Sequence, residues 1–324
     1  MSDPRPTVLL AGKVHPRVRE RIEAEFEAIS IDAGDASLLD EEVRARIRGV
    51  AAATAISAAF IDSLPKLEVI ANFGVGYDAI DAAHAASRDV MVTNTPDVLS
   101  DEVADTTVGL LLNTVRELPK AETYLRDGKW ASQGAYPLTS LSLRGRTVGI
   151  FGLGRIGLAI ARRLEAFGLA IHYHTRNERK DVDYPWHARL TDLARAVDTL
   201  VVAVPGGAAT EKAVNADVLE ALGPQGVLIS VGRGSTVDEP ALIKALQDKT
   251  IAAAGLDVFA HEPHVPQELM DLPNACLLPH VASASVSTRN AMADLVVDNL
   301  AAWLAGRPAM TPVDECAGLN RASG

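Results

Sequence analysis

The chain has 324 residues, about the length of two domains, with 48% hydrophobic and 23% charged residues. Such a chain can build a sizeable core, so intrinsic disorder is excluded. With 31 Lys and Arg against 42 Asp and Glu, the formal net charge is −11, which argues against nucleic acid or an anionic membrane as the partner. No apolar run approaches the roughly 18 residues of a membrane helix, and the N-terminal Met1–Pro6 stretch carries no leader-like apolar core. Cys276 and Cys316 have no metal-like spacing; the alternative is a single disulfide between them, but two reduced thiols in a cytoplasmic protein is the better reading.

In chain order, Thr7–Leu10 reads as a short buried strand, followed by a charged helix over Arg17–Phe26. Ala51–Ile56, Leu67–Ala71 and Val90–Val92 read as further strands, since continuous apolar runs suit a parallel sheet covered on both faces. One long helix is expected from Asp101 to about Arg126, with Ser100 or Asp101 as its cap. Its residues Val108, Leu110, Leu111, Leu112 and Val115 cover more than one face, more apolar surface than a single core needs. Asp127–Thr139, with Gly128, Trp130, Gly134 and Pro137, reads as a loop.

A second α/β series starts at Thr147. Its expected strands are Thr147–Phe151, Ala170–Tyr173, Thr199–Val204, Gly226–Val231, Ile251–Leu256 and Ala275–Leu278. Helices are expected at Ile156–Phe167, Ala216–Leu222 (capped by Asn215), Glu239–Gln247 and Ser287–Leu304. Six strands with crossover helices make a doubly wound parallel sheet.

Strand Thr147–Phe151 runs straight into Gly152-Leu153-Gly154-Arg155-Ile156-Gly157 and then a helix. In a dinucleotide-binding turn the first glycine permits the bend, the second admits the pyrophosphate and the third lets helix and strand pack. The diphosphate would lie at the helix N-terminus, where free N–H groups face it. At the end of the next strand an NAD-binding chain carries a carboxylate for the ribose 2′-hydroxyl. Here Thr175 stands there instead, followed by Arg176, with Arg179 and Lys180 close behind. An arginine can grip a 2′-phosphate that a carboxylate would repel, so the cofactor reads as NADP(H). The bland alternative is a solvated basic loop.

A dinucleotide turn at residue 152 leaves room for a domain ahead of it. With that arrangement, the segments Asn72–Asp78, Asn94–Leu99, Gly232-Arg233-Gly234, Gly255–Pro263 and Leu278-Pro279-His280 resemble the D-isomer-specific 2-hydroxyacid dehydrogenase family. The details are most similar to its glyoxylate/hydroxypyruvate reductase branch. The resemblance implies two doubly wound parallel-sheet α/β domains, a Rossmann domain (100–287) inserted in a flavodoxin-like substrate domain (1–99 plus 288–324). It implies that Arg233 binds the substrate carboxylate and polarises the keto oxygen, that His280 donates the proton, and that Glu262 holds the imidazole charged. Gly74, Val75 and Gly76 would cradle the carboxylate through backbone N–H groups. Val231 and Asp257 would join Gly152–Gly157, Thr175 and Arg176 around the cofactor.

Taken alone, Arg233 reads equally well as a surface loop residue, His280 as a satisfied loop histidine and Glu262 as a solvated carboxylate. His172 with His174, and His261 with His264, could suggest a metal, but spacing places no third ligand and no metal is expected. The expected activity is NADPH-dependent reduction of a small 2-oxo acid, glyoxylate or hydroxypyruvate, to the D-2-hydroxy acid. The alternatives are a 3-phosphoglycerate-type or other D-2-hydroxyacid dehydrogenase, or a dinucleotide-sensing corepressor-like protein. Formate dehydrogenases of the superfamily carry Gln where this chain has Glu262. The resemblance further implies a homodimer built on the cofactor domain, with Trp130 near the partner's substrate cleft.

Overall fold

The computed structural model describes residues 5–319; residues 1–4 and 320–324, with most of the N-terminal stretch inspected for a leader, lie outside the described residues. The chain divides into two compact units, one of residues up to Leu99 and from Ser285 onward, the other Ser100–Ala284. The return to the first unit falls at Ser285 rather than 288. Its hydroxyl caps the Val286–Leu304 helix by accepting the Thr288 N–H at 3.2 Å.

The first unit holds five parallel strands, β1 (Thr7–Ala11), β2 (Glu27–Ile31), β3 (Ile47–Ala52), β4 (Val69–Asn72) and β5 (Met91–Thr93), in the order β2-β1-β3-β4-β5. All five residues of β1 are buried, as a strand covered on both faces should be. β3 begins earlier than the alanine run suggested, and Ile56 instead makes an isolated bridge to Ile80. β2 is an unexpected edge strand with only Ile31 buried.

The second unit holds six parallel strands, β6 (Thr147–Phe151), β7 (Ala170–His174), β8 (Thr199–Val202), β9 (Val227–Ser230), β10 (Ala253–Leu256) and β11 (Ala275–Leu277), in the order β11-β10-β9-β8-β6-β7. Each unit thus repeats the order 2-1-3-4-5, the second with one strand more. The order in which strands are added to the second sheet reverses between β6 and β8, and ligands of open α/β sheets bind outside the carboxyl ends at such a point. Opposite that end, buried Arg146 donates to Thr199 Oγ1 and to the carbonyls of Asp198 and Gln225, tying the entries of β6, β8 and β9 together.

The single helix expected over Asp101–Arg126 is two helices, Ser100–Arg116 and Leu118–Arg126. Pro119 cannot supply an N–H and its ring clashes with the carbonyl four residues back, so the chain breaks at Glu117, φ +51°. The segment expected as loop contains a short helix, Lys129–Gln133. Val108, Leu110, Leu111 and Val115 are buried inside their own unit, so they do not supply the spare apolar surface attributed to them. The exposed apolar side chains lie further on, at Leu118, Leu125, Trp130 and Leu138.

Candidate active site

At the carboxyl end of β6 the three glycines have distinct surroundings. A Cβ on Gly152 (φ +97°) would lie 2.6 Å from Val204 Cγ1, and one on Gly157 would lie 2.0 Å from the Gly152 carbonyl oxygen. Only glycine permits that turn and that helix contact. At Gly154 nothing lies within 4 Å of the missing Cβ. The Arg155–Ala166 helix starts there without a side-chain cap, and a helix N-terminus of that kind suits an anion. A turn closed at its ends and open at its centre fits a dinucleotide pyrophosphate.

The strand beside it, β7, ends at His174. Thr175 donates its hydroxyl to the Asn177 carbonyl at 2.6 Å, and Trp186 Nε1 donates to the Thr175 carbonyl at 3.1 Å. The three cations of this loop separate by partner. Arg179 pairs with Asp181 and braces the Leu153 carbonyl of the glycine turn, and Lys180 pairs with Glu178. Arg176 is exposed and makes no ion pair among the described residues.

His172 and His174 face His187, whose sequence position gave no hint of the contact. His172 Nδ1 lies 3.0 Å from His187 Nε2, and His174 Nδ1 2.7 Å from the His187 carbonyl. Burial, then the neighbouring ring, hold His172 below the usual histidine range.

The three residues implied for catalysis follow the ends of β9, β10 and β11. Val231 continues the ladder beyond β9, its N–H donating to the Val202 carbonyl at 3.1 Å. Gly232 then presses on the Val204 backbone, where a Cβ would lie 2.4 Å from the carbonyl oxygen. Arg233 follows, its carbonyl accepting from the Thr236 N–H and hydroxyl.

His280 Nδ1 lies 2.6 Å from Glu262 Oε2, and Glu262 Oε1 accepts the Phe259 N–H at 3.0 Å. Burial alone would raise the Glu262 carboxyl. The His280 and Phe259 hydrogen bonds and the charges of His280 and Arg233 outweigh it, holding the group below its usual range. With Nδ1 engaged, Nε2 of the half-exposed ring makes no hydrogen bond among the described residues.

His280 itself has φ +52°. The backbone around it hangs on Asp257, fully buried at the end of β10. The Asp257 carbonyl accepts the His280 N–H at 2.9 Å, and the two carboxylate oxygens accept the Val281 and Ala282 N–H groups at 2.7 and 2.9 Å. Burial pushes Asp257 above the usual carboxylate range despite those bonds.

In the first unit, Asn72 Nδ2 donates to the Gly74 and Gly76 carbonyls at 3.1 and 3.0 Å, and Asn94 Nδ2 to the Val75 carbonyl at 2.8 Å. In a trans peptide the N–H points opposite the C=O. The Val75 N–H therefore turns away from Asn72 and the Gly76 N–H from Asn94, and neither donates elsewhere among the described residues. The sequence reading singled out the glycines and missed the asparagines that orient them. The signal was there: an Asn at the carboxyl end of β4 and another just past β5.

A doubly wound sheet with a glycine turn at its switch point, and a carboxylate–imidazole pair on the same unit, defines a dinucleotide-dependent oxidoreductase. Residues 108–282 match the family model described as D-isomer specific 2-hydroxyacid dehydrogenase, NAD binding domain. The chain is 49% identical over 279 residues to glyoxylate/hydroxypyruvate reductase A of Arabidopsis thaliana, covering 86% of this chain and 88% of the relative. It is 39% identical to the 2-ketogluconate reductase of Gluconobacter oxydans, covering 95% and 99%. Among solved structures, an NADPH-dependent glyoxylate/hydroxypyruvate reductase of Sinorhizobium meliloti, in complex with NADP and malonate, superimposes with a TM-score of 0.95 at 59% identity, covering 99% of both chains. The chain belongs to the D-isomer-specific 2-hydroxyacid dehydrogenase family.

Proposed function

We propose that this chain is an NADPH-dependent glyoxylate/hydroxypyruvate reductase, and that Arg233, Glu262 and His280 carry the chemistry. The observation behind the assignment of roles is the Glu262–His280 contact, with Arg233 contributing charge to the same carboxylate. Likeness to the NADP-bound Sinorhizobium reductase supports the cofactor and the reaction.

Bound NADPH supplies the hydride to the keto carbon. The Arg233 guanidinium binds the 2-oxo acid carboxylate and draws charge onto the keto oxygen. His280 delivers the proton to that oxygen from Nε2, completing the D-2-hydroxy acid. Ionised Glu262 orients the ring through Nδ1 and favours its doubly protonated form before transfer. The Val75 and Gly76 N–H groups hold the carboxylate without a formal charge. Gly152–Gly157 take the pyrophosphate and Thr175 and Arg176 the 2′-phosphate, with Val231 and Asp257 lining the cofactor pocket; a carboxylate has lone pairs to spare beyond the two N–H groups Asp257 already accepts.

Exposed Leu118, Leu125, Trp130 and Leu138 suit burial by a second copy, and we assign the chain as a homodimer on this surface. No helix among the described residues is long and apolar enough to cross a membrane, and both cysteines are free thiols, which suits a cytoplasmic enzyme. Initial rates on a panel of 2-oxo acids with NADPH and NADH in parallel test the reading. Turnover of glyoxylate and hydroxypyruvate is expected, and dinucleotide binding without turnover would overturn it in favour of a corepressor-like role.

A further inference from the structure

Glu239 has no part in the scheme above. It is the first residue of the Glu239–Gln247 helix and is 7% exposed. A buried carboxylate is costly, and placement at a helix N-terminus offsets only part of that cost. Its Oε2 accepts the Ala260 N–H at 3.2 Å, and no other acceptor for that amide occurs among the described residues.

Ala260 belongs to the short turn that carries Glu262. The turn is closed on itself by the Phe259 N–H on Glu262 Oε1. It also lies directly on Gly234, where a Cβ would come within 1.9 Å of the Phe259 carbonyl group and 2.5 Å of the Ala260 nitrogen. Gly234 is the neighbour of Arg233, and the backbone from Arg233 to Glu239 is locked in place. Thr236 bonds back to Arg233, and Val214 exchanges hydrogen bonds with Thr236 and Asp238. Glu239 thus sits at the far end of the segment that begins with Arg233, and reaches across to the segment that carries Glu262.

We propose that Glu239 is a positioning residue: through Ala260 it holds the Glu262 turn in register with the Arg233 segment, and so keeps Glu262 on His280. This rests on the roles proposed for Glu262 and His280. What the task requires of residue 239 is reach and an acceptor oxygen, not charge. Two conservative changes separate these properties. Glu239→Gln keeps the reach and the acceptor and loses the charge. Glu239→Asp keeps the charge and falls a methylene short of Ala260.

The experiment measures kcat, KM and the pH profile of glyoxylate reduction for both variants, each also combined with Glu262→Gln, alongside thermal midpoints. Glu239→Gln should retain turnover within about 3-fold. Glu239→Asp should lose about 10-fold in kcat, since small misplacements of a catalytic group are costly. Its KM for NADPH should stay put, because the glycine turn is untouched. Its alkaline limb should move to lower pH, as expected for Glu262→Gln, and in the Glu262→Gln background the Asp change should add less than about 2-fold, because the contact it disturbs is already gone. The proposal is overturned if Asp is silent, if Gln is as damaging as Asp, or if the Asp effect persists in full without Glu262. If Glu262→Gln leaves turnover and pH profile unchanged, the assignment of Glu262 falls and this one with it. If Glu262→Gln moves them and Glu239→Asp does not, only the role of Glu239 falls.

Discussion

Arg176→Ala should weaken NADPH and leave NADH alone. Of the cations after β7, Arg179 and Lys180 are neutralised by Asp181 and Glu178, which leaves Arg176 as the guanidinium free to meet a 2′-phosphate. A hydrogen bond to a charged group contributes about 1.5–3 kcal/mol. Arg176 is exposed, so solvent and salt screening bring the expectation to about 1–2 kcal/mol. At about 1.4 kcal/mol per decade, kcat/KM for NADPH falls roughly 5- to 30-fold. NADH has no phosphate to lose, so its kcat/KM stays constant. Initial rates at saturating glyoxylate, varying each dinucleotide at low and moderate ionic strength, read this directly, and the penalty should shrink as salt rises. Arg179→Ala is the contrast: its guanidinium braces the Leu153 carbonyl inside the glycine turn, so both cofactors should suffer alike. Equal losses for NADPH and NADH in Arg176→Ala, or none for either, would refute the reasoning.

His280→Ala should lose about 10²–10⁴-fold in kcat with little change in the KM for NADPH, measured by steady-state kinetics. Glu262→Gln should move the alkaline limb of the reduction profile to lower pH, since a neutral partner no longer favours the charged ring. Because the Glu262 carboxyl sits below its ordinary value, its contribution to stability is complete above about pH 4.5 and is lost as pH falls through the lower folded value; the difference in unfolding midpoint between wild type and Glu262→Gln should narrow from pH 6 to pH 3. Arg146→Met strands the Gln225 carbonyl and takes the ion-pair partner from the Asp198 carboxylate, and should cost about 2–4 kcal/mol, seen as a lower urea midpoint. Sedimentation should give twice the 34.3 kDa chain mass, and a charge at Leu125 should shift it toward that of a single chain.

Where the governing interaction is local, the sequence was legible. The Ala216–Leu222 and Glu239–Gln247 helices fall where the pattern puts them, and Asn215 caps the first by accepting the Val218 N–H at 3.2 Å. The glycine turn was legible because Gly152 and Gly157 answer to neighbours one strand or a few residues away, while Gly154 is left open. The helix break at Glu117 was readable from Pro119 but was masked by a strong apolar stripe on either side. β2 gave no strand signal because four of its five side chains are not buried, so only the pairing with β1 defines it. The roles of Asn72, Asn94 and Glu239 are set by contacts to carbonyl and amide groups rather than to side chains, and no residue pattern announces those. Asp257 was assigned to the cofactor by resemblance, while its support of the His280 backbone required knowing that β10 and the chain after β11 run side by side.

The left-handed backbone at residue 280 restricts which amino acid can serve as the acid there. Most side chains resist a φ of +52°, and β-branched ones resist it most; histidine, asparagine and aspartate tolerate it far better. Of those three, histidine alone combines that tolerance with a proton it can give up near neutrality. A lysine or tyrosine at this position would carry the proton and pay for the backbone, and an asparagine would accept the backbone and carry no proton. The identity of the acid is therefore chosen twice over, once by the reaction and once by the turn that Asp257 holds.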